Sequence, residues 1–176
     1  MNVLVTYASK HGATQGIAER IGVKLRELGL DAVVMPITTM RDIEPSSYDA
    51  YVVGGAAYYF HWMKAATQFV WRNRDTLTQR PVWLFSSGPL GSPDMWADKP
   101  DPRDSTIPKE FPSLQAAIHP RGIRIFFGAL DTGQLGFPTR LFSKWMPTGD
   151  FRDWVEIEAW AEDIAHALAP AGMVAR

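Results

Sequence analysis

Residues Val5–Ile21 read VTYASKHGATQGIAERI, and inside that stretch the hydrophobic period changes. Val3, Leu4 and Val5 form a short apolar run, the pattern of a strand buried on both faces of a parallel sheet. Ile17, Ile21, Leu25 and Leu28 then recur at helical spacing, which predicts a helix from about Thr14 that stops at Gly29, a residue suited to the left-handed position past a helix end. A strand that passes through a short loop into an amphipathic helix is the repeating unit of α/β architectures.

Between the two elements lie Ser9, Lys10, His11, Gly12, Ala13 and Thr14. The first N–H groups of a helix lack intrahelical partners and carry the positive end of its dipole, so a small-residue loop here can hold a phosphate. Ser9 and Thr14 add side-chain donors, and Lys10 and His11 add favourable charge. The loop lacks the Gly-Lys-Ser/Thr ending of a P-loop and the G-x-G-x-x-G spacing of a dinucleotide site.

Further strands are predicted at Ala32–Met35, Tyr51–Val53, Val82–Phe85 and Ile123–Phe127. Helices are predicted at His61–Arg74, at Phe111–His119 and after Asp153, where Glu156 completes a capping-box spacing and Pro170 follows the end. With no internal repeat or linker, residues 1–176 read as one domain of ordinary size. Five strands alternating with helices give a doubly wound parallel sheet with helices on both faces.

The chain has no cysteine, so neither disulfide nor thiolate chemistry is available and redox work requires a bound organic group. Its four histidines lack metal-ligand spacing, and no metal site is expected. A net charge of −1 argues against nucleic acid as a partner and against the acidic surface of a carrier that meets basic proteins; it favours a small-molecule substrate. No apolar run of about 18 residues suggests a membrane span. A cytoplasmic protein is expected, with peripheral membrane contact left open.

The first loop resembles the phosphate loop of flavodoxins. Tyr7, Ser9, Gly12, Thr14 and Ala18 fill that pattern, while Thr6 departs from it at the strand end. The resemblance implies a flavodoxin-like sheet of order 2-1-3-4-5 and a ligand crevice at the carboxyl ends of strands 1 and 3. The loop after strand 3, Gly54 to Trp62, offers small residues for close approach and aromatics for stacking; that after strand 4, Ser86-Ser87-Gly88-Pro89-Leu90-Gly91, offers backbone donors.

FMN would then place its phosphate on Ser9–Thr14. Its ring would lie between Ala56, Ala57, Tyr58 and Tyr59 on one side and Ser86, Ser87, Gly88, Pro89 and Leu90 on the other. A related deazaflavin remains open as the ligand. The wider arrangement is similar to the flavodoxin-type, menaquinone-dependent protoporphyrinogen oxidases: Val53-Gly54 before a small-residue turn, Tyr59 and His61, Gly128-Ala129-Leu130, and Gly149-Asp150 with Arg152-Asp153-Trp154. That resemblance implies an FMN-dependent oxidoreductase passing electrons from a reduced organic substrate, with protoporphyrinogen as one candidate, to a quinone or other acceptor. The alternatives are an electron carrier serving protein partners and a flavin-free binding module.

No side chain need be an obligatory acid or base, although His61 could donate a proton near the ring. Pro89–Pro112 is long for a loop and could border the substrate pocket under Trp96. Asp131 reads as the cap of a following turn, and Arg140 with Lys144 as a solvated basic face.

Overall fold

The computed structural model describes residues 1–42, 44–91, 101–130 and 148–169. Its main sheet contains β1 (Asn2–Ala8), β2 (Asp31–Pro36), β3 (Ala50–Tyr58), β5 (Val82–Ser87) and β6 (Gly122–Phe126), all parallel, in the order β2-β1-β3-β5-β6. This is the anticipated 2-1-3-4-5 order, interrupted in the numbering by a two-residue strand, β4 (His61–Trp62), that folds back antiparallel on β3.

Alternation along β1 divides the core. Val3, Val5 and Tyr7 face α1 (Ala13–Glu27) and α6 (Trp154–Leu168), where they meet Ile17, Ile21, Phe85 and Trp160. Leu4 and Ala8 face α2 (Lys64–Arg72) and α5 (Phe111–Ile118), with Val53, Trp62, Phe69 and Leu114. Both faces of the sheet are therefore apolar, which is why its strands read as continuous hydrophobic runs. On the first face Phe85, Phe126 and Trp160 meet edge to face with centroids 5.5–6.1 Å apart, a geometry that adds about 0.5–1.5 kcal/mol per pair beyond area burial.

Helix α1 ends as its sequence indicates. Gly29 has φ 83°, Gly29 N–H donates to Arg26 O, and Leu30 N–H donates to Leu25 O, the paired bonds of a Schellman motif. At the start of α6 the Asp153 carboxylate accepts the Glu156 N–H at 3.0 Å. The Glu156 side chain does not return the bond; it pairs with Arg103 Nη1 at 2.8 Å, fastening the short helix α4 (Pro102–Ser105) to α6.

Three sequence expectations are corrected. His61 and Trp62 do not open a helix: Tyr59 and Phe60 reverse the chain, and the helix begins at Lys64. It also stops at Arg72, where the side-chain amide and the backbone N–H of Asn73 both donate to Phe69 O, and a separate turn, α3 (Arg74–Leu77), follows. Phe127 lies beyond β6, after which β7 (Ala129–Leu130) pairs antiparallel with β8 (Gly149–Asp150). No helix among the described residues is long and apolar enough to cross a membrane. Trp96, Asp131, Arg140, Lys144 and Pro170 lie outside the described residues.

Candidate functional site

The first loop is shaped by its own side chains. Ser9 Oγ accepts the Gly12 N–H at 3.1 Å, leaving the Ser9 hydroxyl proton available to an incoming acceptor. Gly12 takes φ 81°, and a Cβ there would meet nothing within 4 Å, so the loop is open at this point. The first helical bond runs from Gly16 N–H to Gly12 O, so the N–H groups of Ala13, Thr14 and Gln15 precede the ladder. A cleft of about 250 Å³ lies against Ser9, Lys10 and Gly12, with Thr38 and Met63 among the residues across it. Donors, positive helix end and open backbone fit a phosphate.

Thr14 has a different place from the one its position in the motif suggests. It is fully buried, and its hydroxyl lies 2.8 Å from Ser87 Oγ, joining the first loop to the end of β5. Removing either hydroxyl leaves the other buried and unpartnered. Thr14→Ala and Ser87→Ala are each expected to cost about 1–3 kcal/mol, and the double variant less than the sum of the two. Urea unfolding checks this; strict additivity would show that the two hydroxyls do not interact.

The loop expected after strand 3 is largely strand. Ala56 and Ala57 belong to β3: Ala56 O accepts the Met63 N–H at 2.9 Å, and Ala57 pairs with Trp62. Gly54 and Gly55 do not make room for a ligand, because the ring of Phe85 covers one and the indole of Trp62 the other. What projects at the edge is the turn itself. Tyr58 is 41%, Tyr59 92% and Phe60 50% exposed. Tyr59 and Phe60 have φ of 50° and 66°, left-handed values that suit the tight turn of a two-residue hairpin but cost about 1–2 kcal/mol for each residue other than glycine. Partial burial pushes the Tyr58 phenol above its ordinary range.

The turn is held from outside its own sequence. Phe60 O accepts the Lys109 N–H at 2.9 Å. Glu110 Oε1 lies 2.8 Å from His61 Nδ1, and Glu110 Oε2 accepts the Trp62 N–H at 2.9 Å. Burial pushes the Glu110 carboxyl up, but the Trp62 N–H and the His61 ring outweigh it and hold it below the usual value.

At the end of β5, Ser86 is fully buried and its hydroxyl has no partner among the described residues. Strand alternation turns it toward the α2 side, away from Ser87. The Gly88 N–H donates to Phe126 O at 3.3 Å, so it is committed to continuing the sheet. A Cβ on Gly88 would stand 3.3 Å from that of Ala57, which brings the β3 and β5 ends into contact. Pro89 O accepts the Gly128 N–H at 2.9 Å, and the remaining donors of this loop are those of Leu90 and Gly91.

Two further groups attach to the site, Glu110 without a sequence signal and Arg152 from the Arg152-Asp153-Trp154 segment that carries the resemblance. Glu110 stands 48 residues from Trp62 at the foot of α5, where an isolated acid carries no motif. Arg152, paired with Asp150 at 2.6 Å, lies over the Trp154 ring and reaches the first turn of α1, where its Nη1 donates to Ala13 O at 3.3 Å. Gly16 is the reason it fits, since a Cβ there would collide with the guanidinium.

The chain is 24% identical to protoporphyrinogen IX dehydrogenase [quinone] of Escherichia coli K12, over 94% of this chain and 96% of that protein. Its structure is similar to a flavodoxin from the domain Archaea, with TM-score 0.60 and 16% identity over 95% of this chain and 98% of the other. It is also similar to a cysteine-to-serine variant of the flavodoxin of Pseudomonas aeruginosa, with TM-score 0.58 and 14% identity over 96% and 99%. The family match and the likeness to a quinone-linked dehydrogenase support a flavodoxin-like redox function. Residues 4–149 match the flavodoxin domain family, and the chain belongs to that family.

Proposed function

We propose that this protein binds FMN and passes electrons from a reduced organic substrate to a quinone or another acceptor. The observation that carries the reading is the meeting of the start of α1 with the carboxyl ends of β3 and β5: Thr14 with Ser87 at 2.8 Å, and Gly88 against Ala57. An anion site, an aromatic turn and a glycine-proline loop are thereby set side by side at the carboxyl ends of the strands, where ligands of doubly wound folds bind. The 24% identity to a quinone-linked protoporphyrinogen dehydrogenase supports a substrate of that class and a quinone acceptor.

Ser9, Lys10 and the first N–H groups of α1 would hold the phosphate. Tyr58 to Phe60 and Pro89 to Gly91 would bracket the ring. Bound FMN would supply two-electron chemistry, and the protein would supply position and electrostatics. The net charge of −1 favours a small-molecule substrate over a basic protein partner.

The test begins with release and identification of the cofactor from purified protein, with one FMN per chain expected. Riboflavin, which lacks the phosphate, should bind about tenfold or more weakly than FMN, the scale of one lost charge-assisted hydrogen bond. Anaerobic mixing with protoporphyrinogen should bleach the flavin absorption, and a quinone should restore it. A protein that carries no flavin and takes none up on reconstitution would overturn the reading.

A further inference from the structure

Glu110 and His61 form a pair whose geometry exceeds what a turn needs. Both carboxylate oxygens are committed, one to His61 Nδ1 at 2.8 Å and one to the Trp62 N–H at 2.9 Å. Trp62 is itself immobilised, because its indole N–H donates to Gly55 O at 3.0 Å and to Phe85 O at 3.3 Å. The carboxylate therefore has one position, set by the sheet.

An ionised carboxylate can only accept hydrogen bonds. Facing Glu110, the neutral His61 ring must carry its proton on Nδ1, which leaves the Nε2 lone pair free. The His61 side chain is 58% exposed, and Nε2 has no hydrogen bond among the described residues. His61 stands opposite Tyr58 in the hairpin register, directly beneath the left-handed Tyr59–Phe60 turn. A histidine aligned by a carboxylate at one nitrogen and open at the other is arranged to move protons.

We infer that His61 Nε2 carries a proton between the two substrates at this site, with Glu110 as the positioning residue that sets the tautomer. The inference rests on the flavin reading given above. Moving two hydrogens from the reduced substrate to a quinone transfers two electrons and two protons and yields the oxidised substrate and the hydroquinone. His61 Nε2 accepts one of those protons as the substrate is oxidised and returns it to a quinone oxygen, while the other ring proton stays on Nδ1, donated to Glu110 Oε1 throughout. A bound redox group would supply the passage of the two electrons and the other proton.

The tautomer supplies a readout independent of turnover. In 15N NMR of histidine-labelled holoprotein, the neutral His61 ring should bear its proton on Nδ1. In Glu110→Gln the amide oxygen is still required by the Trp62 N–H, so the amide NH₂ faces Nδ1 and the ring proton should move to Nε2. His61→Gln should slow both substrate oxidation and quinone reduction by about 100-fold, within the range of general acid–base catalysis, while FMN affinity stays within about threefold, under 1 kcal/mol. Glu110→Gln should slow both steps less than His61→Gln does.

A wild-type ring protonated on Nε2, or a flavin-loaded His61→Gln protein with unchanged rates in both steps, would overturn this inference and leave the flavin reading standing. A protein that binds no flavin would overturn both.

Discussion

Trp62→Ala is expected to remove about 3–5 kcal/mol of folding stability, the range for truncating a buried tryptophan, and to lower the unfolding midpoint by about 6–20 °C. Trp62 is 2% exposed and meets the Phe111 ring edge to face at 5.1 Å. Its indole N–H also satisfies the carbonyls of Gly55 and Phe85. Truncation thus combines a cavity with two weakened carbonyls at the carboxyl end of the sheet. Thermal and urea unfolding measure the total. Trp62→Phe separates the parts, since it retains most of the ring and removes only the donor, at about 1–3 kcal/mol. Equal losses in the two variants would show that the hydrogen bonds dominate and packing does not.

Gly54→Ala should cost about 3 kcal/mol, at the upper end of the usual range for overpacking. Gly54 is the cross-strand partner of Phe85, and a Cβ there would fall well inside van der Waals contact with Cζ, Cε1 and Cε2 of that ring. Phe85 cannot move aside, because Phe126 and Trp160 pack edge to face against it. Phe85→Leu alone leaves a gap over Gly54, and combined with Gly54→Ala it should recover part of the loss. Urea unfolding of the two single variants and the double variant checks the coupling; additive losses would mean that Phe85 is not what excludes the methyl group.

Those two residues also show where sequence reasoning stops. Gly54 and Gly55 lie in a small-residue stretch at the ligand end of a strand, and from sequence they suggest open space. The space is filled by Phe85 and Trp62. The five main strands were legible because burial on both faces makes each a continuous apolar run. The end of α1 was legible because Gly29 is suited to left-handed backbone, and the start of α6 because Asp153 is a strong N-cap.

The β4 hairpin was hidden for the opposite reason. Two residues have no periodicity, and its turn uses Tyr59 and Phe60 where Asn-Gly would have announced it. Of the sites read from sequence, the structure joins Thr14 to Ser87 and Ala57 to Gly88. It sets Ser86 inside the core. Glu110 was invisible because its role consists of contacts 48 and 49 residues away, which no local pattern records.

The Tyr59–Phe60 turn has a consequence for the order in which the molecule assembles. Its backbone opposes local preference, so the hairpin cannot nucleate itself as an Asn-Gly turn does. It becomes favourable only after the segment bearing Lys109 and Glu110 has reached the end of β3, a long-range closure that requires the sheet to exist first. The rim of the site is thus expected to form late, on a sheet that already exists, and hydrogen exchange of the Tyr58–His61 amides would report it.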